Sequence, residues 1–118
     1  MKNILISGGG GYFGTFLTQQ LLKDYNITVY DLFYFPWLIK NKKKIKYNER
    51  LKFVKKHLNE VKVDDFKDID IVLDLNGISN DPSSELNPSH TWKLNNTYRK
   101  NFAIVARKAG VKRYIFNS

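Results

Sequence analysis

Cysteine is absent from this chain of 118 residues, and histidine is scarce. Without cysteine, neither a disulfide framework nor a thiolate metal site can form. The two histidines, His57 and His90, lie far apart in the sequence and have no further ligands at metal-binding spacing. The sequence therefore excludes the disulfide-rich class of small proteins and predicts no metal site.

Long hydrophobic runs are also missing. No stretch approaches the roughly 20 apolar residues that a membrane-spanning helix requires. The apolar run Ile4–Ile6 is too short for the core of a signal peptide and leads directly into glycines. Hydrophobic residues nevertheless make up 42% of the chain, which favours a compact core over disorder. We therefore expect one soluble, cytoplasmic domain over residues 1–118, with no membrane partner.

Acidic residues are outnumbered by basic ones, and the formal net charge is +9. Much of the excess is lysine, concentrated in Lys40–Lys46. Such a run can be an electrostatic footprint for nucleic-acid phosphates, or simply a solvated loop. Since no zinc-finger, basic-zipper or RNA-binding motif accompanies it, we expect no specific nucleic-acid partner.

Apolar β-rich runs alternate with segments of helical periodicity. The five predicted strands are Asn3–Ser7, Ile27–Asp31, Leu51–Val54, Ile69–Leu75 and Val111–Phe116. One helix is predicted over Tyr12–Lys23, with an apolar stripe formed by Phe13, Phe16, Leu17 and Leu21. A second helix is predicted from Ser89 or Thr91 to Gly110. Its apolar stripe is formed by Leu94, Tyr98, Phe102, Val105 and Ala109. Residues 32–50 are predicted to be irregular and residues 76–89 a loop. This order predicts a Rossmann-type α/β fold with a doubly wound parallel sheet.

The turn after the first strand is rich in glycine. It satisfies two patterns at once, G-x-G-x-x-G through Gly9, Gly11 and Gly14, and G-x-x-G-x-x-G through Gly8, Gly11 and Gly14. Glycines permit a tight turn and a close approach to a pyrophosphate, while the helix N-terminus offers free N–H groups to the phosphates. Because a strand precedes the turn and an amphipathic helix follows it, the pattern indicates dinucleotide binding rather than a flexible turn.

Asp31 ends the second predicted strand, 17 residues after Gly14. A carboxylate at this point accepts hydrogen bonds from the hydroxyls of an adenosine ribose and repels a 2′-phosphate. The alternative is an ordinary turn or helix-capping aspartate. The position favours NAD over NADP as the cofactor.

Several segments together resemble the extended short-chain dehydrogenase/reductase family. Ser7, Gly8, Gly11 and Gly14 match its [Ser/Thr]-G-x-x-G-x-x-G pattern. The run 70–77 (DIVLDLNG) looks like the family's D-x-V-x-H-L-A-[AG] segment, and 78–88 continues like a nucleotide-sugar epimerase/dehydratase subgroup. The run 108–116 (KAGVKRYIF) resembles the entry into the family's fifth strand. The resemblance covers nearly the whole chain and is weakest over residues 32–50.

The resemblance implies roles for individual residues. Backbone N–H groups of Tyr12 and Phe13 would meet the pyrophosphate, and Asp31 the adenosine ribose. Three consecutive residues, Leu75, Asn76 and Gly77, would run alongside the cofactor ribose, although Asn76 and Asp74 stand where the family has a small residue and a histidine.

Two further positions are implied with alternatives. Leu58 would line the adenine pocket, while His57 replaces the family's acidic residue and is equally well a surface histidine. Asn95 would lie near the active-site backbone, unless its helix is rotated and the amide points to solvent. The aromatic residues at 33–37 are interpreted as packing rather than as a base-stacking platform.

The family's catalytic Tyr-x-x-x-Lys pair is not found at any of the seven tyrosines. The resemblance implies a fold that continues past Ser118 into this motif, so the chain is interpreted as family sequence truncated after its fifth strand, with no catalytic residue of its own.

Two functions remain open. One is the NAD-binding part of a nucleotide-sugar epimerase or dehydratase, with a nucleotide-sugar substrate only in the full-length form; the other is a non-catalytic dinucleotide sensor or partner module. A cut after the fifth strand would also expose a sheet edge, which predicts a homo-oligomer.

Overall fold

The structure is a computed structural model that describes residues 1–76 and 88–116, with side chains for residues 1–76 and 96–116. Its strands are β1 (Asn3–Ser7), β2 (Asn26–Asp31), β3 (Leu51–Lys55), β4 (Ile71–Asp74) and β5 (Arg113–Phe116). Its α-helices in the described part are α1 (Tyr12–Leu21), α2 (Trp37–Asn41) and α3 (Pro88–Lys108). All five predicted strands are present, each within two residues of the predicted bounds.

The strands form one parallel sheet in the order β3-β2-β1-β4-β5. The chain therefore moves outward from β1 to β3 and then returns to place β4 on the other side of β1. In such sheets the crevice at the carboxyl ends of the two strands beside the reversal is the usual ligand site. Here that crevice lies between Ser7 of β1 and Asp74 of β4, which are paired in register.

The core has two parts, one on each face of the sheet. Alternating strand residues divide between them, so that Ile4 and Ile6 belong to one cluster and Leu5 to the other. The first cluster also includes Leu22, at the end of α1, and Leu38 of α2. The second includes residues of α3 and of the 3₁₀ segments between β3 and β4. Coverage of both faces confirms the doubly wound architecture.

Helix α1 packs through small side chains, which corrects the predicted apolar stripe. Leu17 and Leu21 pack against the first cluster, but Phe13 and Phe16 are 44% and 63% exposed. The buried residues of the helix are Gly14, Thr15 and Thr18. Because Gly14 lies against the glycine turn, the helix is rotated toward its small residues and the two phenylalanines turn outward.

Residues 32–50 contain more regular structure than the sequence predicts. Helix α2 is followed by the 3₁₀ segments Lys42–Lys44 and Asn48–Arg50. Leu38 and Ile45 are buried and anchor this stretch to the first cluster. Single apolar residues in short turns give no periodicity, which is why the sequence pattern missed these elements.

Helix α3 begins at Pro88 instead of being capped by Ser89 or Thr91, which lie inside it. Proline suits the first turn of a helix because the backbone N–H it lacks would have no partner there. The helix ends at Lys108, and Gly110 follows with a φ of 89°, as the sequence predicted for a C-terminal glycine. Phe102 of this helix packs edge-to-face against Tyr30 and Phe66, with ring centroids 5.1 Å away in both cases.

Within the described residues, no helix is both long and apolar enough to cross a membrane, and no cluster of potential metal ligands is found.

Candidate dinucleotide-binding site

The glycine turn connects β1 to α1, and its glycines have different surroundings. Gly8 has a φ of 76° and donates its N–H to the carbonyl of Tyr30 at 2.8 Å. A Cβ on Gly14 would lie 2.5 Å from the Cα of Gly9, so these two glycines allow the helix to pack directly on the turn. A Cβ on Gly11 would meet nothing closer than 3.6 Å. The turn is thus tightly packed on its inner side and open at Gly11.

The N-terminus of α1 carries unused donors. Gly11 is the N-cap residue, and no side chain caps the helix. The first hydrogen bond of the helix is donated by the N–H of Thr15 to the carbonyl of Gly11 at 2.8 Å. No described residue accepts a hydrogen bond from the backbone N–H of Tyr12 or Phe13. Free N–H groups with the positive end of the helix dipole form a site for an anion such as phosphate.

Asp31 stands beside the tip of this turn. Its Oδ2 accepts from the N–H of Gly10 at 3.0 Å, and its Oδ1 accepts from the N–H of Phe33 at 2.6 Å. The residue is half-buried. Each carboxylate oxygen retains a lone pair after these bonds. Asp31 is therefore a turn aspartate that also presents acceptors next to the glycine turn, so the two sequence interpretations are compatible.

The end of β4 lies against the glycine turn from the other side. Leu75 is buried and donates its N–H to the carbonyl of Ser7 at 2.8 Å. Asn76 is half-buried, and its Oδ1 is 2.9 Å from the position of a Cβ on Gly8. Gly77 lies outside the described residues. The structure thus places Leu75 and Asn76 beside the glycine turn. That they run alongside the cofactor ribose stays a prediction.

Asp74 is a buried carboxylate that the sequence interpretation left unexplained. It has no exposed surface, and it accepts hydrogen bonds from Arg99 of α3 and Tyr114 of β5 in addition to Asn76. The Arg99 Nη2 atom lies 3.2 Å from Asp74 Oδ1, close enough for an ion pair although it is not aligned as a hydrogen bond. Burial, and secondarily the charge and hydrogen bond of Asp74, raise the pKa of Tyr114 well above its usual value of 10.0, so the phenol remains a donor. The aspartate and asparagine departures from the family pattern are parts of one network.

The other residues predicted for the site are Leu58, His57 and Asn95. Leu58 begins the 3₁₀ segment Leu58–Glu60 and packs against the second cluster. His57 is the N-cap of that segment, and its ring packs edge-to-face on Tyr98 at 5.1 Å. His57 is half-buried, and its ring accepts from the N–H of Asn59 at the surface of the domain. Asn95 lies in α3, but its side chain is outside the described part.

The aromatic cluster at residues 33–37 is only partly packing, which corrects that expectation. Phe33 is buried against Phe53, with ring centroids 5.4 Å apart, whereas Tyr34 is 90% exposed. Phe35 and Trp37 are also exposed, and the Phe35 ring lies 6.0 Å from that of Tyr12. Phe33 has a positive φ of 59° and packs inward, whereas the aromatic residues that follow it lie at the surface.

The lysine run is a surface feature anchored at one point. Lys43 and Lys44 are exposed, while Ile45 beside them is buried. The Lys42 ammonium lies 5.7 Å from the centre of the Phe53 ring. This arrangement agrees with a solvated segment that is attached to the core by the buried side chain of Ile45.

A parallel sheet of this order, with a glycine turn opening a helix at the strand reversal and a carboxylate at the end of β2, defines a Rossmann-type dinucleotide-binding fold. The donors of α1, the open face at Gly11 and the acceptors of Asp31 fit the pyrophosphate and ribose of such a ligand. The chain belongs to the NAD dependent epimerase/dehydratase family, whose model matches residues 4–118.

Solved structures of epimerases share this fold. The UDP-Glc/GlcNAc 4-epimerase from Campylobacter jejuni is 25% identical with a TM-score of 0.78, and the alignment covers 100% of this chain and 37% of that one. An epimerase from Methanothermobacter thermautotrophicus is 27% identical with a TM-score of 0.76, covering 99% and 35%. The UDP-glucose-4-epimerase from Stenotrophomonas maltophila, with bound NAD and formylated UDP-arabinopyranose, has a TM-score of 0.83 at 19% identity, covering 100% and 37%, and shows the fold alone.

This chain therefore spans little more than a third of the length of these structures. Comparison with curated proteins gives no significant match.

Proposed function

We propose that residues 1–118 form one domain, the NAD-binding part of a nucleotide-sugar epimerase or dehydratase. The observation that carries the proposal is the meeting of two features at one turn. No described residue accepts from the N–H groups of Tyr12 and Phe13, and the Asp31 carboxylate beside them accepts from the N–H of Gly10. A pyrophosphate on the first and an adenosine ribose on the second are the two anchor points of a dinucleotide. Membership of the NAD dependent epimerase/dehydratase family supports the same ligand.

In this proposal Gly8, Gly11 and Gly14 shape the turn, Leu58 lines the adenine pocket, and the stretch 75–77 and Asn95 flank the rest of the cofactor. Bound NAD supplies a nicotinamide that takes up and returns a hydride. The residues of this chain bind and orient the cofactor. A nucleotide sugar is the proposed substrate of the full-length form, in line with the similarity to the UDP-Glc/GlcNAc 4-epimerase from Campylobacter jejuni. A cytoplasmic location and the absence of a specific nucleic-acid partner stay predictions.

A second candidate is a non-catalytic dinucleotide sensor or partner module. It would use the same glycine turn and the same Asp31 carboxylate. The encoding DNA beyond Ser118 discriminates the two, because an in-frame Tyr-x-x-x-Lys supports the enzyme.

Calorimetric titration of the chain with NAD and NADP tests the cofactor assignment. We expect NAD to bind at least about tenfold more tightly, since Asp31 would bond the ribose hydroxyls and repel a 2′-phosphate. Asp31→Ser should lose most of this preference, whereas Asp24→Ser, at an exposed aspartate beyond α1, should keep it. Equal affinity of the unaltered chain for both cofactors would show that Asp31 does not face the 2′ position.

A further inference from the structure

Donors from three parts of the chain converge on the Asp74 carboxylate at the end of β4. Its Oδ1 accepts from the backbone N–H and from the Nδ2 of Asn76, both at 3.0 Å. Its Oδ2 accepts from Tyr114 Oη at 2.9 Å and from Arg99 Nε at 3.3 Å. A carboxylate beside a guanidinium and surrounded by donors acts only as an acceptor. The buried charge is thereby paired and held in one orientation.

This arrangement determines which way the Asn76 amide faces. Since Asp74 only accepts, the amide group directed at it must be the nitrogen. The second hydrogen of the same nitrogen is donated to Ser7 Oγ at the end of β1. With both N–H bonds directed at the sheet, the amide oxygen is the atom presented to the glycine turn. The closeness of Oδ1 to Gly8 agrees with this orientation.

The sheet order indicates which part of a dinucleotide would meet that oxygen. Asp31 ends β2, the glycine turn follows β1, and Asn76 follows β4 on the opposite side of β1 from β2. If the adenosine ribose is at Asp31 and the pyrophosphate at the turn, the second half of the ligand extends across the end of β4. A neutral amide oxygen suits a hydroxyl donor there and offers nothing to an anion.

Resting on the proposed function and extending it, we propose that Asn76 Oδ1 accepts a hydrogen bond from a hydroxyl of the ribose on the nicotinamide side of NAD. Asp74 and Ser7 are the positioning residues, because their hydrogen bonds turn the Asn76 amide oxygen toward that hydroxyl. Arg99 and Tyr114 act one step further away, since they hold the carboxylate and do not touch Asn76 in the described contacts. The aspartate and asparagine at these two positions therefore belong together.

The test measures the dissociation constants of NAD and of its 2′-deoxy and 3′-deoxy analogues at the nicotinamide-side ribose. The variants are Asn76→Ala, the charge-neutral pair Asp74→Asn with Arg99→Gln, and Ser7→Ala. The matched control is Asn101→Ala, the same substitution at an exposed residue of α3. Circular dichroism and thermal unfolding confirm that each variant is folded. Ser7→Ala releases the same amide from its other anchor with a minimal change, and it keeps the test valid should the paired variant not fold.

In the unaltered chain and in Asn101→Ala, we expect one deoxy analogue to bind about five- to tenfold more weakly than NAD. In Asn76→Ala this discrimination should disappear, and in the two variants that weaken the anchoring of the amide it should fall toward onefold. A merely structural role would weaken NAD and its analogues equally and leave their ratio unchanged, and this result would overturn the proposal. NAD binding without discrimination in the unaltered chain would also overturn it while leaving the proposed function intact; no NAD binding at all would overturn both.

Discussion

Gly14 and Gly11 belong to the same glycine turn but face different surroundings. A side chain at Gly14 would collide with the backbone of Gly9, whereas Gly11 borders open space. We expect Gly14→Ala to lower the free energy of unfolding by about 1–3 kcal/mol, because the backbone of Gly9 leaves no room for a methyl group. Urea unfolding followed by circular dichroism measures this loss.

Gly11→Ala is the matched control at the same turn. It should cost less than about 1 kcal/mol, the scale of an unfavourable N-cap residue. Its effect should instead appear as weaker NAD binding, because its methyl group would occupy the open side proposed for the pyrophosphate. Equal stability losses in the two variants would contradict the packing described for Gly14.

Tyr30 makes folding stability sensitive to alkaline pH. It is 1% exposed and donates its hydroxyl to the carbonyl of His57 at 2.8 Å. Burial, and then the charges of Asp65 and Glu60, raise its pKa above the usual 10.0. Above pH 10 the unfolded chain loses this proton while the native chain keeps it, so stability must fall as the pH rises.

In Tyr30→Phe that contribution to the pH dependence should be absent. Above pH 10 the free energy of unfolding should decline less steeply than in the unaltered chain, by up to about 1.4 kcal/mol per pH unit. Tyr34→Phe, at a side chain that is 90% exposed, is the control and should leave the slope unchanged. Urea titrations from pH 9 upward provide the slopes. Identical slopes in all three proteins would show that Tyr30 ionises equally in both states.

At the scale of elements, β5 is the last strand of the sheet formed by the described residues. Ile115 and Phe116 are 44% and 58% exposed on it. An apolar edge with unpaired backbone groups is a template for pairing with another chain. The homo-oligomer predicted from the sequence stays a prediction, and this strand is the surface on which we expect it to form.

A charge on the edge strand tests this expectation. Ile115→Lys should shift the 118-residue chain toward the monomer, because a lysine on an edge opposes strand pairing. Ile104→Lys, at a position 52% exposed on α3, adds the same charge away from the edge and should not do so. Sedimentation velocity over a range of concentrations gives the distribution. A monomeric unaltered chain, or dissociation by both variants, would exclude β5 as the contact.

At the scale of the whole molecule, the residues of the proposed cofactor site lie at one end of the sheet. General acid–base catalysis requires a group of suitable pKa within hydrogen-bond reach of the reacting proton. The Tyr-x-x-x-Lys pair that the family resemblance assigns to this task has no match in residues 1–118. The polypeptide of residues 1–118 is therefore expected to bind NAD and to convert no nucleotide sugar.

Incubation of the polypeptide with NAD and a panel of UDP-, GDP- and dTDP-sugars, followed by chromatography, checks this expectation. The NAD titration on the same preparation shows that the protein is competent to bind. Epimerised or dehydrated sugar formed by this polypeptide alone would show that another set of residues performs the chemistry.

The sequence by itself determined the order of strands and helices, the glycine turn and the position of Asp31. These features depend on local chemistry. Apolar runs become buried, glycines permit tight turns, and a carboxylate directly after a strand lies at the carboxyl end of the sheet. The family resemblance followed from the same segments. Neither the outward rotation of Phe13 and Phe16 nor the elements between residues 32 and 50 could be obtained in this way, because both depend on what packs against them.

Only the tertiary structure decided the role of Asp74. In the sequence it is 25 residues from Arg99 and 40 from Tyr114, and no local pattern connects them. The parallel pairing of β4 with β1 and β5, and the packing of α3, bring these side chains to one carboxylate. Long-range contacts follow from the paths of whole elements, so a buried network of this kind is determined by the fold and not by any segment of the chain.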